Sequence, residues 1–413
     1  MSNIIVTATY SFFMGMYDAV LPVAAIFNRK AKLLVSGRKE TESKLKEYEA
    51  GDGCVWVHAA SLGEFEQGRP IIEAIKKAKP ETRIVLTFYS PSGYEVRKNY
   101  KEADMVCYML SDRRGNAKKF IDAVKPKVAY FVKYEFWHFH LAELKSRNIP
   151  LYGVSMIFHK GQPFFSAWGD WFRDMLRAFT HIYVQDEASK KLLDSIGVKD
   201  NTVAGDTRFD RVGAIAAAAP RNEIVEKFVG GADMTLVAGS TWPPDEEILI
   251  DYMKTAPEGM KFVIAPHETH ESRVASLMEK LPLKAERYTK ATEAVGEARV
   301  LVVDTIGLLS GLYRYAKIAY VGGGFGVGIH NTLEPATFGI PVIFGPNHKK
   351  FNEALRLKEI GAGFAVDSTD AYKKVMETLT TDESVRAGAG QAADAYCRDM
   401  RGATELIIKE TAL

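Results

Sequence analysis

The 413-residue chain contains few cysteines and has no strong excess of either charge. Its three cysteines, Cys54, Cys107 and Cys397, lie far apart and form no CxxC motif. A disulfide framework or a zinc site is therefore not expected, and a reducing compartment is. Lysine and arginine number 54 against 52 aspartates and glutamates, so the net charge is +2. This balance argues against a nucleic-acid partner, which would require a large basic excess.

The N-terminal segment lacks positive charge. Residues 1–28 contain no lysine or arginine, and residues 4–27 are mostly apolar apart from Asp18. A basic cluster follows, formed by Arg29, Lys30, Lys32, Arg38 and Lys39. A secretory signal would carry its positive charge before the apolar residues. The segment could just span a bilayer, lie on or dip into an anionic inner leaflet, or form a buried core helix. A membrane-associated helix is favoured. If the segment spans the bilayer, the basic cluster on its C-terminal side predicts that the rest of the chain is cytoplasmic.

From residue 51 onward, short apolar strands alternate with helical segments, which predicts parallel sheets covered on both faces. Strands are expected at 54–57, 83–88, 128–132, 151–155 and 182–185, and then at 235–238, 261–264, 300–303, 318–321 and 341–344. A turn is expected at 90–93, a linker near 205–220 and a final helix over about 382–408.

The predicted organisation is an α/β chain. It has an N-terminal apolar and basic segment (1–50), two Rossmann-like domains (51–210 and 211–390) that face each other across a cleft, and a C-terminal helix (391–413).

The densest motif follows the predicted strand at 318–321. Five glycines occur between Gly322 and Gly328, and a helix is expected to begin near Asn331. Glycines let the backbone approach a ligand closely, and a helix N-terminus favours phosphate. Glu334, in the first turn, could reach sugar hydroxyls. The motif predicts a ligand site, and a tight strand-to-helix turn is the alternative.

Two neighbouring strand ends carry polar residues and would meet this motif at one sheet edge. Ser240 and Thr241 follow the strand at 235–238 and offer hydroxyls, although they could instead cap the next helix. His267, after Pro266, could touch a nucleotide, but a single loop histidine more often has no such role.

Two carboxylates follow strands of the first half. Glu64 ends the sequence His58-Ala-Ala-Ser-Leu-Gly-Glu64 and could act as a general base if it faces the cleft. The alternative is a first-turn glutamate favoured by the helix dipole. Glu135 follows the strand at 128–132 and could equally be a capping or a buried, paired carboxylate.

In this order the segments resemble the bacterial Kdo transferases, which transfer 3-deoxy-D-manno-octulosonic acid (Kdo) from CMP-Kdo to a lipid A precursor. The segments that carry the resemblance are 58–64, 90–93, 134–137, 185–187, 205–210, 239–241 and, most specifically, Gly-Ile-His-Asn-Thr-Leu-Glu-Pro-Ala at 328–336. The resemblance covers nearly the whole chain. It implies a GT-B fold with the acceptor in the first domain, the sugar nucleotide in the second and the N-terminal helix at the inner membrane, on its cytoplasmic face.

The resemblance also implies site roles. Glu64 would be the base of a direct, inverting displacement, the CMP phosphate would lie against the amides of Gly322 to Gly324, and Glu334 would bind the ribose. The residues expected to bind substrate are Ser61, Gly63, Glu135, Ser240, Thr241, Pro266, His267, Gly322, Gly323, Gly324, His330, Asn331 and Glu334. No metal or cofactor is expected. The expected partners are CMP-Kdo, the lipid A precursor and anionic inner-membrane lipids.

Some positions depart from the family pattern. An arginine usual after the strand at 151–155 is missing, the loop after the next domain's second strand reads Pro266-His-Glu268, and Trp242 replaces the usual histidine. These positions concern how the Kdo carboxylate is held. Other hypotheses are another GT-B transferase, a nucleotide-sugar epimerase, or a non-catalytic sugar-nucleotide or lipid-binding protein. A NAD-dependent dehydrogenase is disfavoured because no early GxGxxG motif follows a strand.

Overall fold

The computed structural model describes residues 3–411, which form two α/β units. Unit 1 extends to Asp210 and includes the chain from Arg401 onward, and unit 2 is Arg211–Met400. The helices are α1 Asn3–Phe27, α2 Arg29–Glu47, α3 Leu62–Ala78, α4 Pro91–Arg97, α5 Arg114–Val124, α6 His138–Ser146, α7 Asp170–Leu176, α8 Glu187–Ser195, α9 Arg208–Ala218, α10 Glu223–Val229, α11 Pro243–Met253, α12 Glu271–Lys280, α13 Leu309–Leu312, α14 Leu333–Ala336, α15 Asn352–Glu359, α16 Thr369–Thr381, α17 Glu383–Asp399 and α18 Ala403–Thr411. The strands are β1 Cys54–Ala59, β2 Ile84–Phe88, β3 Met105–Tyr108, β4 Pro126–Val132, β5 Leu151–Met156, β6 His181–Val184, β7 Asn201–Val203, β8 Met234–Thr241, β9 Met260–Pro266, β10 Ala285–Arg287, β11 Val300–Val302, β12 Ile318–Val321, β13 Val342–Phe344 and β14 Gly363–Ala365.

The sheet of unit 1 is parallel and has the strand order β3-β2-β1-β4-β5-β6-β7. All six residues of β1 are buried, because helices cover both faces of the sheet. Alternate side chains of β1 enter different cores: Trp56 packs with Phe120, and Val57 packs with Leu86 and Tyr130. The strand order reverses between β1 and β4, the position at which doubly wound sheets bind ligands.

The sheet of unit 2 is also parallel, in the order β10-β11-β9-β8-β12-β13-β14. Its central strands are buried, with Ala238 and Tyr320 in one core and Val237 and Ala319 in the other. The order reverses between β8 and β12, so the loops that follow these strands lie at a second switch point. The predicted α/β class with two Rossmann-like units is confirmed.

Helix α1 has no buried residue, so the buried-core alternative for the N-terminal segment is wrong. Within residues 3–411 it is the one helix whose length and apolar composition would suffice to cross a membrane. One side of α1 contacts unit 1 through polar groups, and the exposed apolar side chains are Ile4, Ile5, Phe12, Phe13, Met16, Val20, Val23, Ile26 and Phe27. The chain then turns at Asn28, whose Oδ1 accepts from the first amides of α2.

The linker predicted near 205–220 contains the boundary between the two units, at Asp210 and Arg211. It is largely the helix α9, since alanine favours helix. Two local expectations were wrong. The turn predicted at 90–93 is the start of α4, with Ser90 as its N-cap. The predicted last helix is two helices, because Gly402, with φ +110°, interrupts it.

The C-terminal helix α18 belongs to unit 1. Ile407 packs in the same core as Val57, and the Tyr130 hydroxyl donates to Thr411 Oγ1 at 2.7 Å. The amides of Gly402 and Thr404 donate to the two carboxylate oxygens of Asp210, at 2.6 and 2.7 Å. These contacts fix the end of the chain to the unit in which it began.

Candidate active site

A chain of hydrogen bonds crosses the switch point of unit 1. His58, fully buried at the end of β1, has Nε2 2.9 Å from Glu135 Oε2 and Nδ1 2.8 Å from Thr87 Oγ1. The Trp56 indole donates to the same Thr87 oxygen at 2.8 Å. A carboxylate only accepts, so His58 Nε2 carries a proton, while Nδ1 lies near both the Thr87 hydroxyl and, at 3.2 Å, the Thr87 carbonyl oxygen. The Trp56 and Thr87 partners were missed in the sequence, because their contact depends on the pairing of β1 with β2.

Glu135 is buried and receives a second hydrogen bond from Trp137 Nε1 at 2.6 Å. Trp137, not Glu135, occupies the N-cap position of α6, so the capping alternative for Glu135 is wrong. The geometry is that of a buried carboxylate fixed by two nitrogen donors. The predicted contact of Glu135 with substrate remains a prediction.

Glu64 closes the first turn of α3. Its Oε2 accepts from the Ser61 amide at 3.0 Å and from the Ser61 hydroxyl at 3.3 Å, and the Glu64 amide points back to Ser61 Oγ in a capping box. Burial raises the Glu64 pKa, and the negative charge of Glu135 raises it further. The positive charge of Lys133 opposes that rise. The capping role and a raised pKa therefore coexist in one side chain.

The turn before Glu64 leaves space beside it. A Cβ at Gly63 would meet Ser61 Oγ at 4.0 Å and no closer atom. Packing within unit 1 therefore does not require glycine at position 63. The predicted contact of Ser61 and Gly63 with substrate is not tested by these distances.

Loops of unit 2 converge as predicted at the carboxyl edge of the sheet, because β8 lies between β9 and β12. The Trp242 and His267 rings stack with centroids 4.6 Å apart, and His267 stacks on His330 at the same distance. The Trp242 Nε1–H donates to His330 Nε2 at 3.2 Å. Burial, and to a smaller extent the neighbouring His267, lowers the His330 pKa to about 4. The loops of Trp242 and His330 border a pocket of about 500 Å³ that is also lined by Gly323, Val327 and Phe351.

The glycine motif is packed mainly against other backbone. A Cβ at Gly322 would lie 2.3 Å from the Ser240 carbonyl oxygen, and one at Gly324 would lie 2.6 Å from Gly345. The Gly322 amide donates to the Gly239 carbonyl, and the Gly323 amide donates to Asp245, each at 2.9 Å. The expected phosphate contacts of these two amides are thus already taken within the protein, which supports the tight-turn alternative for this part of the motif.

Asp245 is a buried residue that the sequence analysis missed. Its Oδ2 accepts from the amides of Trp242 and Gly323 at 2.9 Å, and its Oδ1 accepts from the Tyr320 hydroxyl at 2.7 Å. It therefore joins the start of α11, the glycine turn and β12. Its position, three residues after the helix N-cap, is a capping signal that can be read from the sequence. Its contact with the glycine turn cannot be read from the sequence.

The remaining predicted residues are engaged with neighbours. The helix after the glycine motif, α14, is one turn long, so its dipole is weaker than expected. Glu334 accepts from Asn331 Nδ2 at 3.2 Å and from Ser310 Oγ at 2.7 Å. Ser240 and Thr241 are the last residues of β8, and Trp242 is the N-cap of α11, so their capping alternative is wrong. The Thr241 hydroxyl donates to Glu246 at 2.9 Å, and Pro266 ends β9.

Known proteins resemble this chain in sequence. Residues 32–211 match the family model of 3-deoxy-D-manno-octulosonic-acid transferase, or Kdo transferase. The chain is 29% identical over 343 residues to the 3-deoxy-D-manno-octulosonic acid transferase of Aquifex aeolicus, covering 81% of this chain and 88% of the relative. The chain is thus similar to Kdo transferases over most of its length. The enzyme of the same name from Haemophilus influenzae is 24% identical over 371 residues, or 86% of this chain and 85% of the relative.

Solved structures resemble this chain in fold. The UDP-GlcNAc 2-epimerase from Methanocaldococcus jannaschii matches with a TM-score of 0.53 and 15% identity, over 84% of this chain and 98% of that one. This likeness concerns the fold alone, and it agrees with the predicted GT-B class. Across residues 3–411, no group of three or more histidine, cysteine, aspartate or glutamate side chains is arranged to hold a metal ion.

Proposed function

We propose that the protein transfers Kdo from CMP-Kdo to a lipid A precursor in lipopolysaccharide biosynthesis. The similarity to Kdo transferases over most of the chain supports the reaction class, since Kdo transferases are glycosyltransferases. The observation that carries the proposal within the structure is the raised pKa of Glu64, next to Glu135 at the switch point of unit 1. An epimerase with the same fold would require neither a lipid acceptor nor the exposed apolar side of α1.

In the proposed reaction, the Glu64 carboxylate accepts the proton of an acceptor hydroxyl. The hydroxyl oxygen forms a bond to the anomeric carbon of Kdo while the bond from that carbon to the phosphate oxygen breaks. The electron pair leaves with CMP, and displacement from the opposite side inverts the anomeric carbon. Because CMP-Kdo is already activated, the protein mainly positions the reactants and removes the proton.

The surroundings of Glu64 suit a general base. A raised pKa brings the carboxyl group nearer to neutral pH, where proton transfer in both directions is efficient. Glu135 contributes to this rise through its charge, and donors on His58 and Trp137 keep that charge in place. We therefore assign Glu135 a positioning role in addition to its expected contact with substrate.

Side chains are proposed to bind most of the donor in unit 2. The amides of Gly322 and Gly323 already donate hydrogen bonds within the protein, so the phosphate would instead contact Ser240 and His330. The backbone of Ser240 has a left-handed φ of +54°. Glu334, whose carboxylate is oriented by Ser310 and Asn331, is proposed to bind the ribose hydroxyls.

Helix α1 is proposed to lie on the membrane surface and not to cross it. Its polar side chains bind unit 1 over most of its length: Asn3 to Asp174, Thr7 to Trp171, Tyr10 to Asp112, Tyr17 to Tyr89 and Asp18 to Ser111. A helix held by contacts from residue 3 to residue 18 cannot at the same time pass through the hydrocarbon layer.

The proposed membrane is the inner membrane, at its cytoplasmic face. The apolar side of α1 would enter the lipid. The exposed Arg29, Lys30 and Lys32 that follow would attract anionic headgroups, and each would contribute about 1 kcal/mol to membrane binding. Buried Asp112 anchors the helix from within: it accepts from Tyr10, from His140 Nδ1 and from two amides of α6.

The experiment that tests the proposed function is a transfer assay with purified protein in detergent. Incubation with CMP-Kdo and the lipid A precursor is expected to yield Kdo-lipid product and an equal amount of free CMP. UDP-GlcNAc serves as the control donor. Turnover of UDP-GlcNAc without CMP-Kdo turnover would favour the epimerase or another transferase, and binding of CMP-Kdo without turnover would favour a non-catalytic protein.

A further inference from the structure

Three aromatic rings at the edge of the second sheet form two layers. Trp242 and His330 share a hydrogen bond of 3.2 Å between their ring nitrogens. His267 stacks on each of them, with centroids 4.6 Å apart and planes within 25°. Trp242 and His330 therefore lie edge to edge, and His267 lies across both.

The hydrogen bond defines the protonation of His330. An indole nitrogen is a donor only, so His330 Nε2 must offer a lone pair. The ring is then neutral, and its single N–H is at Nδ1. The low pKa of His330, about 4, agrees with a ring that stays neutral at physiological pH.

The His330 ring is fixed in position by its neighbours. A Cβ at Gly323 would lie 3.0 Å from His330 Cδ2 and 3.3 Å from its Nε2, so the Cδ2–Nε2 edge packs on the glycine turn. The opposite edge, with Nδ1, points away from both Gly323 and Trp242. His330 borders the pocket of about 500 Å³ beside the glycine motif.

We propose that Trp242 is a positioning residue that holds His330 as the neutral Nδ1–H tautomer, so that Nδ1–H donates a hydrogen bond to an anionic group of the sugar nucleotide. This rests on the proposed function. The need for a side-chain donor follows from the site itself: the Gly322 and Gly323 amides and the Thr241 hydroxyl already donate within the protein. The anionic group is either the phosphate or the carboxylate of the sugar acid.

The tautomer is tested without substrate, in the full chain labelled with ¹⁵N-histidine. The chain has nine histidines, and His330→Asn identifies the signals of His330 by their loss. At pH 7 the His330 signals are expected to show one protonated nitrogen, Nδ1. Trp242→Phe, which keeps an aromatic ring but removes the indole N–H, is expected to change that pattern. A wild-type spectrum with the proton on Nε2 or on both nitrogens would overturn the proposal, whatever the transfer assay gives.

The donor role is tested with CMP and CMP-Kdo as the two probes. Trp242→Phe and His330→Gln are expected to weaken binding about tenfold, whereas His330→Asn, whose amide N–H lies near the position of Nδ1, retains most of it. Adding Trp242→Phe to His330→Asn should cause no further loss, because the residue that Trp242 positions is gone. Loss toward both probes identifies the phosphate, and loss toward CMP-Kdo alone identifies the carboxylate.

Trp168→Phe, an exposed tryptophan in unit 1, is the matched control and should leave both affinities unchanged. Wild-type affinity of Trp242→Phe for both probes, or additive losses in the double variant, would overturn the donor role. Absence of Kdo transfer by the wild type, with the predicted tautomer present, would instead count against the proposed function.

Discussion

Glu64 accepts hydrogen bonds from the backbone amide and the hydroxyl of Ser61, at 3.0 and 3.3 Å. The carboxylate that is proposed to take a proton from the acceptor therefore also closes the first turn of α3. The two roles can be separated, because glutamine replaces glutamate in a capping box but cannot act as a base. Substitutions at this position thus have distinct expected effects on folding and on transfer.

The capping role is measured by comparing Glu64→Gln with Glu64→Ala. Both variants remove the charge, but only glutamine can still accept from the Ser61 amide. We expect Glu64→Ala to be less stable than Glu64→Gln by about 1 kcal/mol in urea unfolding. Glu73→Ala, on the surface of the same helix, controls for helix propensity. Equal stability of the two Glu64 variants would mean that the capping hydrogen bond contributes nothing.

The raised pKa of Glu64 predicts a pH-dependent effect on stability. Below the pKa of the unfolded chain, glutamate is protonated in both states and burial carries no charge penalty. As the pH rises through the higher folded-state pKa, the native state must bury a charge, so that stability is lost. Wild type should therefore lose stability relative to Glu64→Gln as the pH rises above 4.5, the ordinary glutamate pKa, as measured by urea unfolding. A difference that does not vary with pH would contradict the raised pKa.

The surface position of α1 predicts which of its ends can be labelled from the cytoplasm. Cysteines introduced at Asn3 and at Asn28 should both react with a membrane-impermeant maleimide added to inside-out vesicles. Reaction at Asn28 alone would indicate a helix that crosses the membrane. Exposed Asn99 provides the positive control, and background is low because the native cysteines are buried.

Gly322 is expected to be required for packing. A Cβ there would lie 2.3 Å from the backbone oxygen of Ser240, which cannot move aside, so Gly322→Ala should destabilise unit 2 by about 1–3 kcal/mol. Gly326→Ala is the matched control, because its Cβ would meet Gly323 O at 3.6 Å, an ordinary contact. Thermal unfolding of both variants measures the difference, and equal melting temperatures would argue against the close approach.

Much of the fold could be predicted from the sequence. The long, continuous apolar strands such as β1, β4 and β9 were found because a strand buried on both faces leaves a clear run of apolar residues. The strands β3, β7, β10 and β14 were missed. Each lies at the edge of its sheet and has only three or four residues, so the apolar signal in the sequence is short.

The candidate site was predicted in part. The strand-end positions of Glu64, Ser240 and His267 follow from the topology of parallel sheets, which sequence periodicity reveals. The partners that determine their chemistry are distant in sequence: the Thr87–His58 contact spans two strands, and Asp245 reaches the glycine turn across β8 and β12. The sequence also indicated a ligand role for the glycine amides, whereas packing against Ser240 and Gly345 explains these glycines.

The most direct test of the central claim is Kdo transfer by Glu64→Gln. This variant keeps the capping hydrogen bond and lacks the base. We predict that it binds CMP-Kdo with wild-type affinity and forms Kdo-lipid product at least about 100-fold more slowly than wild type, since general base catalysis typically contributes about 10²–10⁴-fold. Turnover by Glu64→Gln at the wild-type rate would contradict the assignment of Glu64 as the base.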